Sequence, residues 1–169
     1  MRVAYADPPY VGQARRHYQS DEVDHVQLIK LLDNNFDAWA LSASSSSLQY
    51  ILSLCPHDVR VGAWVKPWCS FKKNVNPAYA WEPVIFRGSR ARDFDNTVRD
   101  WVSVSATKQK GLVGAKPEVF CYWLFDLLGM SPIDDFTDLY PGTGIVTKCW
   151  EKWKNSPQLY SINNPPNPE

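Results

Sequence analysis

The sequence has few cysteines and histidines, no excess of charge and no long apolar segment. Its four cysteines include no C-x-x-C pair, and its three histidines show no zinc-ligand spacing with them. We therefore expect free thiols in a reducing compartment and no metal site. No apolar run approaches the roughly 18–20 residues of a membrane helix, and the N-terminus lacks the apolar centre of a signal peptide. These absences favour a cytoplasmic protein without membrane association.

What is present is typical of a folded domain. The chain has 169 residues, of which 44% are hydrophobic and 21% charged, which excludes a disordered or collagen-like chain. Aromatic residues make up 14% of the chain. They either fill the core or stack on bases, and core filling is the commoner use. Trp150 and Trp153, three residues apart, and the neighbouring Cys149 are predicted to be core residues.

The balanced total charge conceals a gradient along the chain. Residues 87–116 contain seven basic and three acidic residues, a net charge of +4, and residues 117–169 contain three basic and seven acidic residues, a net charge of −4. The basic segment either faces a polyanion or is an ordinary solvated loop. Charge by itself does not distinguish these two interpretations.

Hydrophobic periodicity and turn residues predict an alternation of strands and helices. Asp21 is the predicted cap of the first helix, Pro83 predicts a bulge or an edge position, and residues 88–114 read as a basic loop. The alternation favours an α/β domain over residues 1–155, with a mainly parallel sheet, helices on both faces and a disordered tail at 156–169. The predicted strands are 2–6, 37–42, 59–65, 80–87 and 136–140, and the predicted helices are 21–34, 48–55, 116–128 and 145–154.

A turn of unusual composition follows the first strand. In Asp7-Pro8-Pro9-Tyr10, two prolines remove two N–H donors and leave the carbonyl groups of the turn free to act as acceptors. Asp7 adds a carboxylate acceptor and Tyr10 adds a ring. This combination suits a flat group that carries an exocyclic amine, such as a nucleic-acid base.

A second turn joins the last predicted strand to the last predicted helix. It reads Asp138-Leu139-Tyr140-Pro141-Gly142-Thr143-Gly144. Glycines let a ligand approach the backbone closely, and a helix N-terminus favours a negative group. The turn lacks the third glycine of the dinucleotide fingerprint and the lysine of a phosphate loop. Its chemistry alone indicates a cofactor site of unspecified kind.

Together the two turns resemble the signature of the amino-methyltransferases that use S-adenosylmethionine to methylate exocyclic amines of nucleic-acid bases. Residues 7–10 match their catalytic D-P-P-Y motif, and residues 138–144 resemble their cofactor motif D-x-F-x-G-x-G, with Tyr140 in place of the phenylalanine. Lys116-Pro117 resembles the K-P motif that precedes the cofactor strand. The resemblance spans residues 3–154. Its motif order is typical of the permuted β-type DNA methyltransferases, which include small phage and bacterial members.

The resemblance implies a circularly permuted, Rossmann-like methyltransferase domain whose chemistry needs no metal. Asp7 and the carbonyl group of Pro8 would bind the target amine and orient its lone pair, and Tyr10 would stack on the everted base. The D-P-P-Y form is commoner among adenine-N6 than cytosine-N4 enzymes, which favours adenine. The residues implied in binding S-adenosylmethionine are Asp7, Lys116, Pro117, Asp138, Tyr140, Pro141, Gly142, Thr143 and Gly144.

Basic residues outside the two turns are candidates for contact with DNA. Residues 15–18 follow the catalytic turn, where ordinary loop surface explains them equally well. Lys66 and Glu82 either line the cleft or form a strand-end ion pair. The candidates for contact with nucleic acid are Arg15, Arg16, His17, Tyr18, Lys66, Arg87, Arg90, Arg92, Lys108 and Lys110.

The sequence departs from the family after the cofactor turn. There, family members have a strand whose acidic residue holds the cofactor ribose and a further strand beside the adenine, whereas only 25 residues (145–169) follow here. We therefore expect a sheet without these outer strands, with Glu151 as the only nearby carboxylate. Residues 88–114 are also too short for a full target-recognition domain.

Three functions stay open at this point. The preferred hypothesis is a DNA adenine-N6 methyltransferase, in which a homodimer partner or another subunit completes the cofactor site. The second is a methyltransferase that acts on RNA or on cytosine N4. The third is a catalytically silent relative that binds nucleic acid or a partner subunit; the intact Asp7-Pro8-Pro9-Tyr10 argues against it, and the missing strands argue for it.

Overall fold

The computed structural model describes residues 1–12, 22–69, 71, 73–91, 97–106 and 115–160. No helix within these ranges is long and apolar enough to cross a lipid bilayer. In chain order the elements are β1 (Arg2–Ala6), α1 (His25–Asn35), β2 (Ala38–Ser42), α2 (Leu48–Leu54), β3 (Arg60–Val65), β4 (Trp81–Arg87), β5 (Trp101–Ser103), α3 (Glu118–Leu127), β6 (Asp135–Asp138), α4 (Ile145–Asn155) and α5 (Pro157–Tyr160).

Six strands form one sheet in the order β5-β3-β4-β2-β1-β6. β1 is parallel to β2 and β6, and β3 is parallel to β5, whereas β4 runs antiparallel to both β2 and β3. Five strands therefore share one direction, which confirms the predicted mainly parallel sheet. β6 lies at one edge, and among the described residues no strand pairs with its outer side.

Helices cover both faces of the sheet. Val3 and Tyr5 of β1 pack in the core that holds α3 and α4, while Ala4 and Ala6 pack in the core that holds α1 and α2. All four side chains are fully buried. Burial on both faces explains why β1 reads as a continuous apolar run instead of an alternating pattern.

The α3–α4 face contains most of the aromatic core. The Phe125 ring lies 5.5 Å from the Trp150 ring and 5.8 Å from the Trp153 ring, between ring centroids. Both tryptophans are almost completely buried and Cys149 is fully buried. The prediction that these three residues belong to the core is confirmed.

Two helices begin later than predicted. α1 is capped by Asp24, whose side chain accepts a hydrogen bond from the Gln27 backbone N–H at 3.0 Å. The predicted cap, Asp21, lies outside the described residues. α3 is preceded by Pro117, which is the N-cap and not a residue of the first turn. Gly129 follows α3 with a φ of 61°, the left-handed backbone conformation in which glycine commonly ends a helix.

The prediction for Pro83 is wrong. β4 is an internal strand, and Pro83 pairs in regular register with Ala63 of β3. The Ala63 N–H points away from β4 and donates to the Asp100 carbonyl. Because Ala63 does not exchange hydrogen bonds with β4, no bond between β3 and β4 is lost at Pro83. On its other side, Pro83 lies beyond Ser42, the last residue of β2, and its carbonyl accepts from the Ala43 N–H. The proline nitrogen therefore faces Ala43, beyond the end of β2, and its missing N–H removes a bond only at the end of the β2–β4 pairing.

Two segments predicted to lack regular structure contain short elements. β5 lies within residues 88–114 and pairs with β3, so this segment is not a continuous loop. α5 lies within the predicted tail, and the Tyr160 ring stacks on the Tyr122 ring at 4.8 Å between centroids. The ordered chain therefore continues past residue 155.

Asp134 connects the start of β6 to the segment that follows β4. Its side chain is fully buried and accepts two hydrogen bonds of 2.9 Å from the Arg90 guanidinium and one of 2.7 Å from the Ser131 N–H. Burial opposes ionisation, but these donors hold the pKa of Asp134 at about 2.

Acidification is therefore expected to remove about 2 kcal/mol of stability through Asp134. A lowered carboxyl pKa stabilises the fold above the pKa of the unfolded chain, and this stabilisation is lost as the pH falls from about 4 to about 2. Urea unfolding at a series of pH values measures the effect. The Asp134→Asn variant should lose less stability over this interval, and identical pH slopes for the two proteins would contradict the assignment.

Candidate active site

The two turns singled out in the sequence meet at one edge of the sheet. β1 and β6 are parallel neighbours, with Tyr5 opposite Asp138, so Asp7 and Asp138 both lie at the carboxyl ends of these strands. The Leu139 N–H donates to the Tyr5 carbonyl at 2.9 Å and holds the start of the second turn beside the first. This is the edge at which ligands bind in open α/β sheets.

Lys116 joins the catalytic-motif aspartate to β4. Only 5% of its side chain is exposed, and its Nζ lies 3.0 Å from Asp7 Oδ1 and 3.5 Å from Glu82 Oε2. Burial alone would lower the pKa of Lys116, but the two carboxylates outweigh it and raise the pKa. The ammonium group therefore stays charged and links the two carboxylates.

Glu82 is the centre of this network. It accepts a hydrogen bond from the Tyr10 hydroxyl at 2.7 Å and forms ion pairs with Lys66 and Lys116. Burial works against its ionisation, but the two lysines hold the pKa of Glu82 below its usual range. Lys66 and Glu82 thus form the predicted strand-end ion pair, and their place in a binding cleft stays a prediction. The signal that could have located this ion pair is the register of the β3–β4 hairpin, in which Trp64 lies opposite Glu82.

The Asp7 carboxyl group is an acceptor in a partly desolvated position. Burial raises its pKa above the ordinary value, and the charge of Lys116 opposes this increase. Because Lys116 occupies one side of the carboxylate, the group is held in place while it accepts other donors. Tyr10 is likewise oriented by its bond to Glu82.

The second turn presents open backbone. Gly142 and Gly144 have φ values of 47° and 72°, which favour glycine. A Cβ atom on Gly144 would meet no atom within 4 Å, and one on Gly142 would meet only the Tyr140 carbonyl oxygen, at 3.9 Å. Gly144 is the N-cap of α4, and no side chain caps this helix end. The turn therefore offers space and a positive helix terminus to a negatively charged group.

Asp138 offers the complementary charge. Its Oδ2 accepts from the Thr147 hydroxyl at 3.2 Å, whereas its buried Oδ1 has no hydrogen-bond partner among the described residues. Burial raises the pKa of Asp138, and the charge of Asp7 adds to the increase. A buried acceptor without a partner beside a second carboxylate suits a ligand that carries a positive charge.

Two predicted DNA-contacting residues lie at the end of the strands opposite the candidate active site. Because β4 is antiparallel, its last residue, Arg87, lies away from Asp7 and forms ion pairs with Asp33 and Asp58. Arg90 is held by Asp134 before β6 begins. Both arginines are thus paired with carboxylates of the protein away from the candidate active site, and their contact with nucleic acid stays a prediction. The remaining candidates apart from Lys66 lie outside the described residues: Arg15, Arg16, His17, Tyr18, Arg92, Lys108 and Lys110.

Other features bear on the cofactor side of the site. Glu151, the carboxylate closest in sequence to the second turn on α4, is exposed and forms an ion pair of 2.6 Å with Lys154. Within the described residues, no three histidine, cysteine or acidic side chains are grouped to hold a metal ion.

Comparison with solved structures identifies the fold. The chain is similar to the crystal structure of the M1.HpyAVI-SAM complex, with a TM-score of 0.64, 13% sequence identity and coverage of 90% of this chain and 78% of that chain. It is also similar to the crystal structure of M1.HpyAVI, with a TM-score of 0.59, 12% identity and coverage of 90% and 76%. No family model and no curated protein matches the sequence. The chain thus has a Rossmann-like α/β methyltransferase fold.

Proposed function

We propose that this protein transfers a methyl group from S-adenosylmethionine to the exocyclic amine of a base in DNA, with adenine N6 as the acceptor. The observation that carries the proposal is the β1–β6 register, which brings Asp7-Pro8-Pro9-Tyr10 and the glycine turn to one edge of the sheet. The hydrogen-bond acceptors proposed to bind the amine therefore lie next to the glycine turn proposed to bind the charged cofactor.

The cofactor assignment rests on the fit between charges and open space. The unpartnered Asp138 Oδ1 suits the ammonium group of the methionine moiety, and the N-terminus of α4 after Gly144 suits its carboxylate. The similar fold of the M1.HpyAVI-SAM complex supports the same choice. When bound, S-adenosylmethionine supplies an electrophilic methyl group. Lys116, whose charge is already matched by two protein carboxylates, orients Asp7 in this proposal.

The acceptor side rests on the first turn. Asp7 and the Pro8 carbonyl accept the two N–H bonds of the amine, which directs the nitrogen lone pair toward the methyl group. Tyr10, with its hydroxyl bound to Glu82, presents a fixed ring on which the base stacks. The nitrogen would gain the methyl group as the methyl–sulfur bond breaks and S-adenosylhomocysteine leaves, and it would lose one proton to Asp7 or to water. The resemblance of residues 7–10 to the adenine-N6 motif supports adenine.

The proposal is tested by transfer of tritiated methyl groups to defined oligonucleotides, followed by identification of the labelled nucleoside. N6-methyladenine in DNA is the expected product. Label on cytosine or in RNA would support the second hypothesis instead. Binding of nucleic acid without transfer would support the catalytically silent relative.

Calorimetric titration of two variants tests the glycine cradle. Gly142→Trp should weaken S-adenosylmethionine binding about tenfold or more, because the side chain fills the space that the cofactor needs. Gly142→Ala has the same backbone strain, about 1–2 kcal/mol, without the bulk, and should bind nearly as the wild type does. Equal affinities for all three proteins would place the cofactor elsewhere.

A further inference from the structure

The β3–β4 loop (residues 66–80) exposes several aromatic side chains. Trp68 is 61% exposed, Phe71 89% and Tyr79 56%. By contrast, Trp39 in β2 and Trp123 in α3 are fully buried, and the exposed tryptophans of the sheet, Trp81 and Trp101, are only 39% and 43% exposed. Three strongly exposed aromatic side chains within one loop are uncommon on the surface of a soluble protein and indicate a binding site.

The charge of the same loop indicates the kind of partner. Its 15 residues include three lysines and no aspartate or glutamate. Lys66 is neutralised by Glu82, whereas the loop itself provides no carboxylate for Lys73. Aromatic rings interspersed with positive charge match the two components of a nucleic-acid strand, its bases and its phosphates. A loop of this length, in which the described residues (66–69, 71 and 73–80) form no helix or strand, is also commonly functional.

The loop is attached to the candidate active site at both ends. The Lys66 N–H donates to the Ala80 carbonyl at 2.8 Å, which closes the base of the loop. Lys66 forms an ion pair with Glu82, and Glu82 accepts a hydrogen bond from the hydroxyl of Tyr10. A strand that places one base against Tyr10 therefore continues directly toward the loop.

We infer that the β3–β4 loop stacks unpaired bases next to the target base, and that the substrate is single-stranded DNA. This inference rests on the proposed function, because it extends the same site. The faces of paired bases in a duplex are covered by their neighbours, whereas an unpaired strand exposes a face of each base to the rings. Phe71 and Tyr79 are the stacking residues, and Lys73 contacts the backbone.

The test measures binding of a fluorescent single-stranded oligonucleotide by anisotropy, without cofactor. Phe71→Ala and Tyr79→Ala should each weaken binding about tenfold, and Lys73→Ala should reduce the salt dependence. Ile133→Ala is the matched control. Ile133 is 91% exposed but lies before the start of β6, at the end of the strands opposite the candidate active site. Tyr50→Ala, on α2, controls for loss of an exposed ring elsewhere. The matching duplex should bind more weakly than the single strand.

The outcomes separate this inference from the proposed function. If the wild type transfers no methyl group but the ring variants still weaken binding, the proposed function fails and the loop assignment stands. If the wild type is active and the ring variants bind and react as the wild type does, the loop assignment is overturned. Equal affinity for duplex and single strand would overturn the single-stranded substrate. If an RNA strand of the same sequence binds more strongly, DNA as the substrate is overturned, whereas the stacking role of the β3–β4 loop stands.

Discussion

Replacement of Asp7 by alanine is expected to lower the rate of methyl transfer about a thousandfold, because it removes the acceptor that orients the target amine. Single-turnover methylation measures the loss. Asp58→Ala is a suitable control, since it also removes a carboxylate from an ion pair, with Arg87, but at the opposite edge of the sheet. Full activity in Asp7→Ala would overturn the assigned role.

The pH dependence of the rate provides a second readout of Asp7. Burial raises the pKa of this carboxyl group above the ordinary value of 3.8. Protonation turns one acceptor oxygen into a donor, so the rate should fall as the pH drops through the raised pKa. Asp7→Asn cannot be protonated in this range, and its residual activity should lose this acid limb. An acid limb unchanged in Asp7→Asn would assign the titration to another group.

Replacement of Lys116 by methionine is expected to lower the free energy of unfolding by about 3 kcal/mol. The change leaves Asp7 without its cation and Glu82 with Lys66 alone, both in a desolvated site. Urea unfolding measures the loss. Lys152→Met breaks an exposed pair with Glu118, of 2.8 Å, and should lower the free energy of unfolding far less, because solvent screens this pair.

The pH dependence of this destabilisation identifies its cause. Without Lys116, the lowered pKa of Glu82 should rise and the already raised pKa of Asp7 should rise further, so the folded variant binds protons more readily than the wild type does. The difference in stability from the wild type should therefore shrink as the pH is lowered. A difference that stays constant with pH would indicate lost packing of the lysine stem instead of unpaired carboxylates.

Local chemistry was sufficient to predict the elements around the two turns. β1 ends before Pro8 and Pro9 because proline cannot continue the ladder, and its predicted bounds agree with the structure. α4 begins after Gly144 and ends one residue beyond its predicted end. Each boundary depends on the residues beside it. The carboxyl ends of parallel strands share an edge, so the expectation of a site there also followed from the strand–helix alternation.

The remainder of the site depends on strand order and direction, which residues distant in the chain decide. Glu82 became its centre because the antiparallel β4 lies between β2 and β3 and starts at the edge where β1 ends. The same reversal carries Arg87 to the far edge, where carboxylates of the protein neutralise it. Motifs and turn composition were enough to predict which residues have the chemistry that the proposed methyl transfer requires. Which of these residues lie together depends on the order and direction of the strands. That order follows from the packing of a hydrophobic core on each face of the sheet, and local composition does not specify it.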